Sequence, residues 1–358
     1  MRLSKIHIAI IATLPVVFQS CQELYIPDEI VTEIDIPVIQ GTITEGSLPV
    51  VKLSYASVYL NDNQRQIHDA EVTVTDNTGG SVELFENDEG YYVPLTNDYL
   101  GIMGNVYRLN VNIDGEEFES QPVKLNAKPV VDSLYALPGY KESFTYNQSG
   151  QIIYEFKEGL NILMDLSADH DSTYYRFNTT TLHEITYTDA TNALMPVSIW
   201  EWYTDQLDEV YSVDLTYPKN NLNILPQHKN GFLQYIFLPN EDVVSQKNYT
   251  TYGWVLTIRV FSISKSVYDY YNSIDKQFNS NNQIFAPVPA QIKSNIKCTT
   301  DSDRLVVGVF EASSETILYR AFQFLDRNNY RSISLTDFPQ NILHGISRTS
   351  PPSFWISF

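Results

Sequence analysis

The side chain with the most definite chemistry is the thiol of Cys21. It closes the segment Phe18-Gln19-Ser20-Cys21, behind a short basic start (Arg2, Lys5) and an apolar run from Ile6 to Phe18. That run has the length of a signal peptide and is too short to span a bilayer; Pro15 would also disturb a membrane helix there. A small residue followed directly by cysteine is the layout in which the thiol becomes thioether-linked to diacylglycerol and cleavage makes Cys21 the new N-terminus. Phe18 and Gln19 stand where Leu and then Ala or Ser are commoner, so ordinary secretory cleavage is the alternative. Several acyl chains, at about 0.8 kcal/mol per buried methylene, would hold the mature chain on a membrane.

Other groups offer weaker chemistry. Trp200 and Trp202 are two apart, so in a strand they share one face. With Tyr203 and Tyr211 they offer an aromatic platform to an oligosaccharide or a peptide; packing in the core or across strands is the favoured alternative. Asp165, Asp169 and Asp171 concentrate oxygen ligands of the kind Ca²⁺ takes, but the EF-hand spacing and its glycine are missing, and a solvated turn explains them as well. No other cofactor is suggested. The nucleophile elbow, HExxH, the Walker loop, GxGxxG after a strand and paired CxxC are all absent. His183-Glu184 lacks a second histidine four residues on. Among 43 acidic residues, choosing a glycosidase pair would be arbitrary. The expectation is a protein that is not an enzyme.

Charge and composition narrow the partners. The 358 residues carry a net charge of −20, and loss of residues 1–20, with Arg2 and Lys5, deepens it. Such a surface repels nucleic acid. With Cys21 acylated, Cys298 has no partner for a disulfide and reads as a small buried apolar residue. Abundant tyrosine (25) and phenylalanine (17), with little helical periodicity, indicate a mainly β fold.

The positioning elements follow in order. Residues 1–20 are the signal peptide, and 21–33 form an acidic tether (Glu23, Asp28, Glu29, Glu33) broken by Pro27. Residues 34–127 read as an immunoglobulin-like or transthyretin-like β-sandwich, with strands at Ile34–Thr44, Val50–Leu60, Ala70–Thr75, Ser81–Phe85, Tyr91–Leu95, Val106–Ile113, Glu117–Ser120 and Val123–Leu125. Asp76-Asn77-Thr78-Gly79-Gly80 and Asp114-Gly115-Glu116 supply hairpin turns. Residues 129–358 read as a larger β-rich domain. Within it Tyr140 to Gly150 reads as a polar surface loop, and Leu305–Phe310 and Thr316–Phe324 as separate strands. One amphipathic helix is expected near 264–279: Ser264 or Ser266 can cap it, and Val267, Tyr270, Tyr271, Ile274 and Phe278 share a face. Phe285-Ala286-Pro287-Val288-Pro289 must be extended.

The sandwich resembles the transthyretin-like, carboxypeptidase-regulatory type through Val38-Ile39-Gln40-Gly41-Thr42-Ile43, Ala70-Glu71-Val72-Thr73-Val74, Glu89-Gly90-Tyr91-Tyr92 and Tyr107-Arg108-Leu109. That resemblance implies a spacer or interaction module. The ordered set of features resembles a family of Bacteroidota outer-membrane lipoproteins, a domain of unknown function often encoded beside TonB-dependent receptors. It rests on Cys21, Gly41-Thr42-Ile43-Thr44, Ala70-Glu71-Val72, Ser264–Phe278, and Phe285 through Ile296. Val307-Gly308-Val309-Phe310-Glu311-Ala312-Ser313-Ser314 and the terminal Pro352-Ser353-Phe354-Trp355 complete it. Relatives often carry cysteines near the last motif, and this chain has none there. Asp132-Ser133-Leu134 and Asp171-Ser172-Thr173 are similar to the O-glycosylation acceptor of that phylum, which would place sugars on Ser133 and Ser172.

The resemblance implies a location and a neighbour. The expected function is a lipid-anchored outer-membrane accessory or binding protein that partners a TonB-dependent receptor in nutrient capture. A structural or assembly factor of the envelope without small ligand is the alternative. A surface hydrolase, and a membrane barrel whose last strand holds Phe354, Ile356 and Phe358, stand further back.

Overall fold

In the computed structural model of the chain, eight strands follow one another from Pro37 to Lys124, as the turn-rich sequence requires. They are β1 (Pro37–Thr44), β2 (Val50–Tyr55), β3 (Glu71–Asp76), β4 (Ser81–Glu86), β5 (Tyr91–Pro94), β6 (Val106–Ile113), β7 (Glu116–Ser120) and β8 (Val123–Lys124). The described residues are 35–57, 65–147, 151–167, 174–189, 197–206, 211–214, 224–234, 237–238, 249–250, 253–280, 292–324, 330–335 and 346–348. β6 buries Tyr107, Leu109, Val111 and Ile113 at alternate positions, the mark of a strand with one wet face. The turns are built as their composition demands. Asp76 Oδ1 accepts from the N–H groups of Thr78 (2.7 Å) and Gly80 (3.0 Å), and Asp114 and Gly115 take φ of 51° and 90° between β6 and β7.

Downstream come β9 (Val130–Tyr146), β10 (Ile152–Ser167), β11 (Tyr174–Asp189), β12 (Val197–Gln206), β13 (Tyr211–Asp214) and β14 (Ile224–Gln234). After them lie β15 (Phe237–Leu238), β16 (Tyr249–Thr250), β17 (Gly253–Ile263), α1 (Lys265–Ser280), β18 (Ile296–Cys298), β19 (Val307–Phe324), β20 (Tyr330–Leu335) and β21 (Ile346–Arg348). The fold is mainly β with one helix among the described residues, as the composition indicated. Among the described residues no helix is long and apolar enough to cross a membrane.

Pairing in the first sheet runs β19-β1-β2-β5-β4-β3-β6-β7-β18. The residues expected to form one sandwich thus share their sheet with β18 and the first part of β19, drawn from far down the chain. The sheet curls until its ends meet at Asn295, just ahead of β18, which hydrogen-bonds the main chain of Phe310 on β19. Ile39, Ile43, Leu53, Val72, Leu109 and Phe310 fill the interior, and the buried free Cys298 joins them. The parallel β1–β19 pair depends on Gly308. Its φ is +131°, and a Cβ there would lie 1.9 Å from the carbonyl oxygen of Ile39.

β19 then continues as a member of the second sheet, ordered β20-β19-β17-β11-β12-β21. The third sheet, β9-β10-β14, lies over it, and Leu160, Ile162, Met164 and Leu166 of β10 meet Phe177, Ile258, Val260 and Phe322 in a second core. β19 is one strand of 18 residues where two were expected. Its middle, Glu311-Ala312-Ser313-Ser314-Glu315, lacks an apolar rhythm because it crosses from one core to the other, with Glu311 and Ser313 hydrogen-bonded inside and Ser314 Oγ buried without a partner among the described residues. α1 starts as the sequence suggested: Ser264 Oγ accepts from Val267 N–H (3.4 Å) and Ser264 O from Tyr268 N–H (3.0 Å). Asp269 pairs with Lys265 (2.5 Å) instead of completing a box with Ser266. Val267 and Tyr270 are buried in the first core, with Tyr271 and Ile274 half-buried against it.

Candidate functional site

Residues 140–146 are the second half of β9, which corrects the expectation of a polar loop at Tyr140 to Gly150. They pair with residues 152–158 of β10. β14 covers β10 only from Gly159 to Ser167, so beyond Gly159 the two strands stand as a ribbon with no third strand among the described residues. Asn147 closes the far end: its N–H donates to Gln151 O (2.9 Å), its Oδ1 accepts from Gln151 N–H (2.8 Å), and its Nδ2 reaches Gln151 Oε1 (3.0 Å).

Three consecutive residues of the ribbon, Ile152, Ile153 and Tyr154, are 49%, 45% and 67% exposed, and Tyr140, paired with Glu158 further along it, is 63% exposed. Successive strand residues point to opposite faces, so exposure of three in a row leaves both faces of β10 uncovered at Ile152 to Tyr154. An isolated two-stranded hairpin is marginal in water, and a cluster of exposed large apolar side chains marks a contact surface. The sequence hid this element because a stretch exposed on both faces has no reason to alternate.

A second cluster lies where the two cores meet. Glu311 of β19, 1% exposed, takes both hydrogen bonds of the Arg176 guanidinium, Nη2 to Oε1 at 2.9 Å and Nε to Oε2 at 3.2 Å. Ser313 Oγ donates to Oε1 (2.9 Å) and the Tyr271 hydroxyl to Oε2 (3.3 Å). The guanidinium lies over the ring of Phe261, 4.1 Å from its centre. Burial works against the charge on Arg176, but Glu311, Tyr271 and Glu315 together outweigh it, Glu311 foremost, and the proton is held more tightly than usual. Burial first, and then the Glu311 carboxylate, push the Tyr271 hydroxyl well above its ordinary value. The arrangement ties β11, β19 and α1 together. Every lone pair it uses faces a protein donor, so it serves as a clamp. The signal for it was present: single charges inside Tyr174-Tyr175-Arg176-Phe177 and Val309-Phe310-Glu311-Ala312 must find each other or pay heavily for burial.

The residues singled out from sequence are scattered. Trp200, Trp202 and Tyr203 lie on β12, in register with Thr186, Glu184 and His183 of β11. Trp200 and Trp202 are also in register with Arg348 and Ile346 of β21. Tyr211 starts β13 opposite Phe177, and Phe177 and His183 are separated along β11 by about 20 Å. The fold therefore does not bring Tyr211 beside the other three. Asp165 and Ser133 are brought together as direct cross-strand partners. Ser133 Oγ donates to Asp165 Oδ2 (2.5 Å) and the Tyr135 hydroxyl approaches Oδ1 (3.4 Å), so both carboxylate oxygens are engaged. Asp169, Asp171, Ser172 and Cys21 lie outside the described residues, as do Phe285 to Pro289. Among the described residues no group of three or more His, Cys, Asp or Glu is placed to hold a metal ion.

Among the described residues, a curled first sheet, a second sheet sharing its longest strand, a third sheet with a protruding ribbon and one helix define a β-scaffold protein. The chain belongs to the family described as Domain of unknown function (DUF4249), matched over residues 25–317. No curated protein matches it, and no solved structure does.

Proposed function

We propose that this chain is a lipid-anchored accessory protein of the outer membrane that partners a TonB-dependent receptor in nutrient capture, without catalysing a reaction. The observation that carries the reading is the segment Arg2 to Cys21, whose basic start, apolar run and terminal thiol suit export followed by acylation. An acyl anchor confines the protein to two dimensions and raises its effective concentration at a membrane receptor. The Bacteroidota resemblance supplies the choice of receptor. The ribbon of β9 and β10 supports a binding role, since it offers Tyr140, Ile153 and Tyr154 on two strands that no third strand covers among the described residues.

The test is recovery of the tagged full chain from native membranes after mild crosslinking. Co-recovery of a TonB-dependent receptor is the expected result, and Cys21→Ser is expected to release the protein from the membrane fraction. Clean recovery without any such receptor would overturn the partnership. An unmodified N-terminus on membrane-free protein would overturn the anchor.

A further inference from the structure

A groove of about 680 Å³ runs beside β18. Every residue from Ile292 to Cys298 lines it, whereas β7 contributes none of the residues that pair with β18, only Gln121 beyond its end. The groove therefore follows the edge of β18 that β7 leaves uncovered. Its other walls are Ser266 and Asp269 at the start of α1 and the returning segment that holds Leu305 and Val306.

We propose that this groove binds an extended acidic peptide, which adds to β18 as a further strand. The main chain of β18 is poised for it. Gln121 N–H donates to Asn295 O (2.7 Å) and Thr299 N–H to Glu117 O (2.8 Å), so the odd-numbered residues bond towards β7. By the alternation of an antiparallel pair, Ile296 and Cys298 turn their main-chain groups the opposite way. Ser294 Oγ already accepts from Ile296 N–H (3.0 Å). Ile296 O and both main-chain groups of Cys298 have no partner among the described residues. A short open edge beside a groove is the geometry of strand addition, in which main-chain bonds give affinity and side-chain contacts give selectivity.

Charge selects the occupant. Lys293 and Lys297 line the groove, both exposed, and neither has an ion-pair partner among the described residues. Two cations without partners stand out in a chain of net charge −20. The other charged groups are taken: Asp269 by Lys265 (2.5 Å), and Arg304 by Glu116 (3.0 Å) and Asp35 (3.1 Å). A strand with carboxylates on one face meets the lysines, while its other face rests against Ile292 and Leu305. The groove does not depend on the anchor or the receptor, so its failure and theirs are read separately.

The test titrates the full chain into fluorescein-labelled octapeptides and follows anisotropy. One peptide alternates valine with glutamate, a second valine with lysine, and a third is the first with alternate amides N-methylated. The glutamate peptide is expected to bind, and the other two to bind about tenfold more weakly or worse, the difference that 1.4 kcal/mol makes. K293E/K297E, at two exposed positions, is expected to keep the urea midpoint and reverse the preference between the charged peptides. Hydrogen exchange at Cys298 N–H is expected to slow when the first peptide is bound. Equal binding of both charged peptides, indifference to N-methylation, or no binding at all would each overturn the proposal; the last includes a groove already filled by another part of the chain.

Discussion

Asn295 holds Phe310 as a neighbouring strand would, its Nδ2 donating to Phe310 O at 2.8 Å and its Oδ1 accepting from Phe310 N–H at 2.9 Å. A side chain thus supplies both halves of a main-chain pair at the seam where the curled sheet closes. Asn295 is 3% exposed and Phe310 fully buried, so water cannot replace it. Asn295→Leu is expected to strand two buried main-chain groups, at about 1–3 kcal/mol each. Urea denaturation measures the loss; a change below about 1 kcal/mol would mean that the seam is held by other contacts.

Gly308 makes the adjoining demand on the same strand. Alanine there would meet the Ile39 carbonyl oxygen at 1.9 Å in a backbone of φ +131°, and neither main chain can yield without parting β1 from β19. Gly308→Ala is expected to lower the yield of folded protein sharply and to speed hydrogen exchange along Val38–Thr44. Unchanged exchange in β1 would show that the strand pair relaxes around the methyl.

The clamp at Arg176 and Glu311 gives a cycle with a definite sign. Removing one member leaves the other buried and unpaired, so Arg176→Met and Glu311→Leu alone are each expected to cost about 3–5 kcal/mol. Removing both spares the fold an unpaired charge, and the double variant is expected to be more stable than either single one. Additive losses in chemical denaturation would argue against the pair acting as a unit.

The legible part of the fold was the part with one wet face. In β1 to β8, alternation and turn chemistry were enough to place every strand. α1 was equally plain, because Val267, Tyr270, Tyr271 and Ile274 fall at helical spacing and Ser264 marks its start. What stayed hidden was of two kinds. In the ribbon of 140–146 and 152–158, Tyr140 and the consecutive Ile152, Ile153 and Tyr154 are exposed with no one-sided alternation, so Tyr140-Lys141-Glu142-Ser143 reads as a loop in the sequence. The joining of β18 and β19 to the first sheet links residues 176 apart at Ser120 and Ile296 and 269 apart at Val38 and Val307, carried by register and by the side chain of Asn295, and no local pattern encodes it. The candidate residues suffered the same way. Asp165 and Ser133 looked unrelated in sequence, and a shared register makes them partners.

Alkali acts on the buried tyrosines of α1. Burial raises the hydroxyls of Tyr270 and Tyr271 above the ordinary 10.0, and Glu311 adds to the rise at Tyr271. In the unfolded chain they ionise near that ordinary value, so above it the unfolded state binds fewer protons than the folded one. Stability is therefore fully present below about pH 10 and falls as pH rises towards the folded values. Tyr271→Phe is expected to flatten this alkaline loss, at a cost of about 1 kcal/mol near neutrality for the hydrogen bond to Glu311. Urea midpoints at successive pH values, with tyrosinate absorbance followed in parallel, measure both. An equal slope in the variant would place the alkaline weakness elsewhere.

The ribbon separates stability from binding. Tyr140 and Tyr154 are about two-thirds exposed, at 63% and 67%, so their truncation removes little buried area. Tyr140→Ser with Tyr154→Ser is expected to shift stability by no more than about 0.5 kcal/mol per site, the usual range for surface positions. At an interface the same change removes two large amphipathic rings, the kind of side chain that carries most of the binding free energy, and a loss of about 2 kcal/mol or more is expected. Recovery of the partner from native membranes should fall accordingly, while the urea midpoint stays in place. A midpoint that drops would mean that the ribbon packs against the body after all. Recovery that stays unchanged would move the contact surface away from β9 and β10.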